Sequence, residues 1–282
     1  MNFVSHRQLI DDVRDWSNLL PNDLIAVAGV PRSGLLPALH LALHRNIHLV
    51  TLEDLAAGER PWQKPLRRFV SAKTTGRVLI VDDSLNSGRT LHTIRARFHD
   101  AGDFLLGAVY GCESRPDAAD YIYRNVSMPR CFEWMLFHSS QIESACLDLD
   151  GVLCCDPSFL EEDQGPGLEQ WRAHLSEAKP KFLPGRKVTA VVTSRLEKYR
   201  PETEAWLRKH HVLYGELVMS PHPTAADRRA AGDHAQQKAR YYRQRSDARL
   251  FIESSLSQSR EIARLSLKPV LCTDSMEMID EV

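Results

Sequence analysis

Val78-Leu-Ile-Val-Asp-Asp-Ser-Leu-Asn-Ser-Gly-Arg-Thr90 is the stretch whose reading decides the fold. An unbroken apolar run predicts a strand buried on both faces, as in parallel sheets. Two acids end it, a small hydroxyl-rich turn with Gly88 follows, and a helix begins. In open α/β sheets, ligands bind at the carboxyl ends of strands. A helix N-terminus there offers unpaired N–H groups and a favourable dipole for phosphate. Ser84, Ser87 and Thr90 add hydroxyl donors, and Gly88 lets the backbone approach closely. Asp82 and Asp83 repel a phosphate. They suit the vicinal hydroxyls of a sugar or a metal-bound sugar phosphate. No Lys follows the glycine, which excludes the nucleotide-triphosphate loop GxxxxGK[ST].

Working upstream, Ala26-Val-Ala-Gly-Val-Pro-Arg-Ser-Gly34 repeats the order strand, Gly-containing turn, helix. Apolar runs at 24–28, 47–52, 78–81, 104–110, 145–147, 187–192, 249–252 and 269–272 predict strands. Helical patterns at 35–45, 91–101, 201–210, 234–245 and 256–265 alternate with them. That alternation predicts an α/β protein of parallel sheets covered by helices on both faces. A chain of 282 residues accommodates two domains of ordinary size. The short polar stretch 139–143 places the boundary between residues 140 and 141.

The 78–90 segment resembles the PRPP-binding motif of the type I phosphoribosyltransferases. Segment 26–34, ahead of it in the family's order, resembles that family's pyrophosphate loop. The resemblance implies a phosphoribosyltransferase-like fold over 1–140. It assigns Arg32, Ser33 and Gly34 to pyrophosphate, and Asp82, Asp83, Ser84, Asn86, Ser87, Gly88, Arg89 and Thr90 to the rest of PRPP. Mg²⁺ would accompany the diphosphate. The basic loop 56–75, with Lys64, Arg67, Arg68 and Lys73, falls where the family carries a lid. A hood for the base would draw on 112–138, including Tyr121, Tyr123, Phe132 and Trp134, although simple packing explains most such aromatics.

The second half opens on Ala145-Cys-Leu-Asp-Leu-Asp-Gly-Val-Leu153. Carboxylates two residues apart at a strand end point the same way. One can attack phosphorus, forming an aspartyl-phosphate, while the other handles protons. The segment resembles the first motif of the haloacid dehalogenase (HAD) superfamily phosphatases. That resemblance makes Asp148 the nucleophile and Asp150 the acid and base. It assigns Thr193, in Val191-Val-Thr-Ser-Arg195, to the phosphoryl group, and Lys238, with Arg240 as substitute, to charge balance. It gives Mg²⁺ to Asp148, Asp150 and Glu253. Glu253 is followed by Ser254 and Ser255 where the family often has a further acid. Residues 141–282 would then form a HAD-like Rossmannoid fold, with a cap limited to one or two helices from 154–187.

Composition narrows the partners. A formal net charge of -1 argues against a nucleic-acid partner. The basic stretch 228–249, diluted by Asp227, Asp233 and Asp247, reads as a solvated helix face. The 6 cysteines form no CxxC pair, which suits reduced thiols in a cytoplasm rather than a zinc site. His40 and His44 share a helix face but lack the Glu of a zinc protease. Acids fill the N-terminus, which reads as an amphipathic helix, and no apolar run reaches the ~18 residues of a membrane span.

The expected partners are therefore small molecules: PRPP, a base-like acceptor and a phosphomonoester, with a homodimer as the family's common assembly. The leading expectation is a bifunctional enzyme that transfers ribose 5-phosphate to the acceptor and dephosphorylates the product or another monoester. The alternative is a PRPP-sensing domain without transferase activity that controls the phosphatase.

Overall fold

The computed structural model describes residues 1–60, 75–98, 104–112, 118–159, 161 and 163–280. The chain divides into two compact units, Asn2–Arg130 and Cys131–Val282, the latter including Met1. The sequence boundary at 140/141 falls ten residues later than this division. Residues 131–140 hold to the second unit through contacts that a polar linker would not make. Phe137 stacks on Phe182 with ring centroids 5.0 Å apart. Its carbonyl accepts from the Gly185 N–H at 2.8 Å.

The first unit runs β1 (Asn2–Val4), α1 (His6–Ser17), β2 (Leu24–Gly29), α2 (Leu35–Arg45), β3 (His48–Val50), α3 (Leu52–Ala56), β4 (Arg77–Ser84), α4 (Arg89–Arg97), β5 (Phe104–Gly111) and β6 (Tyr121–Asn125). A short strand, β7 (Arg130–Phe132), straddles the division. Five parallel strands form a sheet in the order β3-β2-β4-β5-β6. β2 is buried at every position, as an unbroken apolar run requires. The Ser5 hydroxyl caps α1 by accepting from the Gln8 N–H at 3.1 Å. That helix then buries Leu9, Val13 and Trp16. Asp12, on the same helix, is buried against β5 and β6. It accepts from the Tyr110 hydroxyl at 2.7 Å, from Arg124 at 2.7 Å and from Gln8 at 2.9 Å.

The second unit runs β8 (Ala145–Leu147), α5 (Leu168–Glu177), β9 (Val188–Leu196), α6 (Arg200–Lys209), β10 (Tyr214–Ser220), α7 (Ala225–Ala231), α8 (His234–Gln244), β11 (Leu250–Glu253), α9 (Leu256–Ser266), β12 (Val270–Cys272) and β13 (Glu277–Ile279). Its sheet has the order β10-β9-β8-β11-β12-β13, parallel except for the antiparallel last pair. β10 and β6 were not foreseen, since both mix exposed polar residues with apolar ones, half-buried in β6 and partly buried to buried in β10. The 6 cysteines are free thiols. Among the described residues, no helix is long and apolar enough to cross a membrane.

Asp12→Ala should destabilise the first unit by roughly 1–3 kcal/mol, because the buried Tyr110 hydroxyl loses its acceptor. An unchanged urea midpoint would remove Asp12 from the forces that hold α1 to the sheet.

Candidate functional site

Each sheet has a point where successive connections leave in opposite directions. In the first unit it lies between β2 and β4, and in the second between β8 and β11. A crevice opens at the carboxyl ends of such strand pairs. The motifs singled out in the sequence sit at these two points.

In the first unit the turns after β2 and β4 meet. Ser33 Oγ donates to Asp83 Oδ1 at 2.8 Å, and the Val30 N–H to the Val81 carbonyl at 2.8 Å. A Cβ on Gly34 would fall 2.6 Å from the carbonyl oxygens of Val30 and Val81, so only glycine lets these backbones touch. Gly88 opens α4 at φ +73, which likewise favours glycine. Neither the Gly34 start of α2 nor the Gly88 start of α4 has a side-chain cap of the usual kind. In α2 the Leu35 and Leu36 N–H groups donate to the Arg32 and Ser33 carbonyls at 3.3 and 3.1 Å and Pro37 has no N–H, whereas in α4 the Arg89 N–H donates to Ser87 Oγ at 3.4 Å. Arg32, Asn86, Ser87, Arg89 and Thr90 are exposed around them, and Ser84 is half-buried. Burial, with Asp83 beside it, pushes the Asp82 carboxyl up to about 8. Tyr121 and Tyr123 lie on β6, whereas Phe132 and Trp134 belong to the second unit and stack on each other at 5.0 Å. The basic residues Lys64, Arg67, Arg68 and Lys73 lie outside the described residues.

In the second unit, Lys238 of α8 reaches across to two strand ends. Its Nζ donates to Asp148 Oδ2 at 2.7 Å, to Glu253 Oε2 at 2.6 Å and to Gln258 Oε1 at 3.1 Å. Glu253 Oε1 accepts from the Ser254 and Ser255 N–H groups at 2.9 and 3.1 Å, so these serines occupy a place where an acid was expected. Burial and the neighbouring Glu253 raise the Asp148 carboxyl well above its ordinary range, against the pull of Lys238. Burial lowers Lys238, but Asp148 and Glu253 outweigh it, and the ammonium stays charged. Thr193 Oγ1 accepts from the Arg195 N–H at 3.2 Å. Arg240 is exposed, away from this cluster. These groups line a cavity of about 340 Å³ together with Asp150, Asp156, Asp274, Arg195, Arg228 and His234.

Asp150, expected as the acid and base, sits among a separate set of contacts. Arg195, 1% exposed, grips it with Nε at 2.8 Å from Oδ2 and Nη2 at 2.7 Å from Oδ1. His174 Nε2 lies 3.0 Å from Oδ1, and Cys154 Sγ 3.3 Å. Burial opposes ionisation of Asp150, but Arg195 and His174 prevail and hold it well below the usual carboxylate range. Asp150, Cys154 and His174 could by spacing ligate a soft metal, but Arg195 already neutralises the acid among them.

Mg²⁺ fits the other face of the cavity. Two buried carboxylates share one ammonium, and Asp156 and Asp274 add oxygen donors beside them. Hard oxygen ligands with surplus negative charge suit this ion. Asp148 and Glu253 would hold it, while the Asp150 side chain is committed to Arg195.

Arg195, His174, Arg228 and His234 escaped sequence reasoning. Arg195 stands two residues after Thr193, the strand period, and His234 four residues before Lys238, the helix period. Those spacings were the available signals. Arg228, inside the stretch read as a solvated face, is instead paired with Glu161.

No family model and no curated protein matches this chain. Several solved structures resemble part of it. A purine phosphoribosyltransferase from Pyrococcus horikoshii Ot3 is 19% identical, with a TM-score of 0.35 over 47% of this chain and 92% of that one. A xanthine-guanine-hypoxanthine phosphoribosyltransferase from Helicobacter pylori is 16% identical, with a TM-score of 0.36 over 47% and 90%. A hypothetical protein from Neisseria gonorrhoeae with bound ppGpp is 15% identical, with a TM-score of 0.33 over 47% and 89%.

Arg195→Ala should cost up to about 3–5 kcal/mol by leaving the partly buried Asp150 carboxylate with His174 as its remaining charged partner. Adding Asp150→Asn should recover most of that loss, and chemical denaturation of both variants decides it. A pH dependence follows from Asp82. Its folded pKa, about 8, exceeds the unfolded value, so the native state binds more protons between the two. Stability of the first unit should therefore fall as pH rises from about 4 towards 8 and level off above. Asp82→Asn should flatten that slope in melting curves.

Proposed function

We propose that the second unit hydrolyses phosphate monoesters through an aspartyl-phosphate on Asp148. The first unit binds PRPP and transfers its ribose 5-phosphate to a base-like acceptor. The observation that carries this reading is Lys238 Nζ held within hydrogen-bonding reach of both Asp148 and Glu253 at a sheet's switch point.

In the second unit an Asp148 oxygen attacks phosphorus, and the bond to the leaving oxygen breaks with its electron pair on that oxygen. Lys238 offsets the repulsion between carboxylate and phosphate. The Thr193 oxygen accepts from the Arg195 N–H, which leaves its own hydroxyl proton free for a phosphoryl oxygen. Mg²⁺, when bound at Asp148 and Glu253, supplies further neutralisation of the phosphate. Water then cleaves the aspartyl-phosphate.

In the first unit the turn before α2 suits the diphosphate through its Arg32 and Ser33 side chains, and the Gly88 start of α4 suits the 5-phosphate. Arg32, Ser33 and Gly34 serve the former, and Ser84, Asn86, Ser87, Gly88, Arg89 and Thr90 the latter. Asp82 and Asp83 face the ribose hydroxyls. A nucleotide made there is a monoester of the kind the second site cleaves, and removing its phosphate draws the transfer forward.

The test is ³¹P NMR of the protein with PRPP, Mg²⁺ and a panel of bases, the wild type beside Asp148→Asn. The variant should accumulate nucleotide and pyrophosphate, while the wild type yields nucleoside and phosphate. PRPP left intact with every base would end the transferase reading. Phosphate release by the Asp148→Asn variant at the wild-type rate would end the assignment of the nucleophile.

A further inference from the structure

Attack by Asp148 fixes where the phosphorus of a substrate lies, so its leaving group must occupy the rest of the cavity. A volume of about 340 Å³ suits a whole small molecule rather than a phosphate alone. Besides the strand-end acids, that space is lined by Pro157, Phe159, Glu161, Trp171 and Arg228. Its aromatic groups are tied to the acid end through one histidine. His174 Nε2 lies 3.0 Å from an oxygen of Asp150, two residues beyond the nucleophile. The His174 ring stacks on Trp171 with centroids 5.4 Å apart, and it meets Phe159 edge-on at 6.1 Å. Trp171, 3% exposed, is fixed by packing against Tyr199. Phe159 is half-buried against the same cluster, which leaves part of its ring to the cavity.

The charge on these walls is already balanced. Arg195 pairs with Asp150, Lys238 with Asp148 and Glu253, and Arg228 with Glu161. A second phosphate on the leaving group would find no unpaired lysine or arginine among the lining residues. Neutral polar contacts are still on offer. Trp171 Nε1 and Arg228 Nε are buried and donate to no acceptor among the described residues. A buried donor in this state is costly, and an acceptor on a ligand relieves it. An uncharged leaving group with a flat ring and acceptor atoms fits this description. A nucleobase has both, since its faces stack on aromatic rings and its edges carry ring nitrogens and carbonyls. A bare sugar has hydroxyls but no flat face.

We propose that Phe159 is the platform on which the base of a nucleoside monophosphate stacks, and that this contact makes the second unit select nucleotides over sugar phosphates. The proposal rests on the phosphatase reading above and names the leaving group for it. A base stacked away from phosphorus is held alike before and during the attack, so the contact acts on KM more than on kcat.

The experiment measures phosphate release, with Mg²⁺, from adenosine, guanosine, cytidine and uridine 5′-monophosphates. Ribose 5-phosphate, which keeps the sugar and the phosphate but lacks the base, is run beside them. Wild-type kcat/KM should be roughly 5- to 150-fold higher for at least one nucleotide than for ribose 5-phosphate, the worth of one stacked base. Phe159→Leu keeps apolar bulk and removes the ring. It should raise KM for that nucleotide by about the same factor while kcat stays near the wild-type value, and Phe159→Tyr should keep the wild-type KM. No preference for any nucleotide in wild-type protein that hydrolyses p-nitrophenyl phosphate would overturn the proposal. So would a preference that survives Phe159→Leu, or a KM for ribose 5-phosphate that rises in parallel, as a merely structural role would produce. Wild-type protein that releases phosphate from none of these monoesters would instead overturn the phosphatase reading, and this proposal with it.

Discussion

The position of the switch point in each parallel sheet is the constraint on which the rest depends. A parallel strand must be followed by a crossover, and where consecutive crossovers leave on opposite sides the strand ends stand uncovered. β2 and β4 form such a pair in the first unit, β8 and β11 in the second. Ser33 reaches Asp83 across the first of these gaps, and Lys238 joins Asp148 to Glu253 across the second. Glycine makes the first gap narrow enough to work. With any side chain at residue 34, the backbone atoms of Val30 and Val81 would be pushed apart, and Ser33 would lose its approach to Asp83.

In the second gap the balance is electrostatic. Burying a carboxylate is costly unless it is paired, and here two of them close on a single ammonium. Burial first, and Glu253 after it, raise the Asp148 carboxyl despite the pull of Lys238. Buried carboxylates in surplus over their ammonium favour a cation beside them. Stability and function therefore pull in opposite directions at this cluster, as they do at many sites assembled for a ligand.

What the sequence revealed followed from signals that are local. The run 78–81 with its two acids and Gly88 announced strand, turn and helix within a dozen residues, and β4 and α4 occupy those places. Likewise β8 and β11 were legible as short apolar runs ending in Asp148 and Glu253. β10 was not, because Gly215 and Glu216 interrupt an edge strand whose outer positions meet water. The partner of Asp150 was hidden for another reason. Arg195 lies 45 residues away, and no local pattern encodes a long-range ion pair. His234 looked like one basic residue among many in a stretch dominated by Arg, until the helix register placed it beside Lys238.

Asp150 shows how a motif constrains less than its letters suggest. An acid two residues after a nucleophile can carry protons only if it can be protonated and can reach the leaving oxygen. Breaking a buried bidentate arginine pair costs about 3–5 kcal/mol. Each 1.36 kcal/mol added to a barrier is tenfold in rate, so such a cost would slow catalysis by roughly two to four orders of magnitude. The contacts of Asp150 with Arg195 and His174 make it a tie between β9 and α5. Tethering by Arg195 and His174 thus fixes α5 to the sheet beside the cavity that Asp150, Trp171 and Arg195 line.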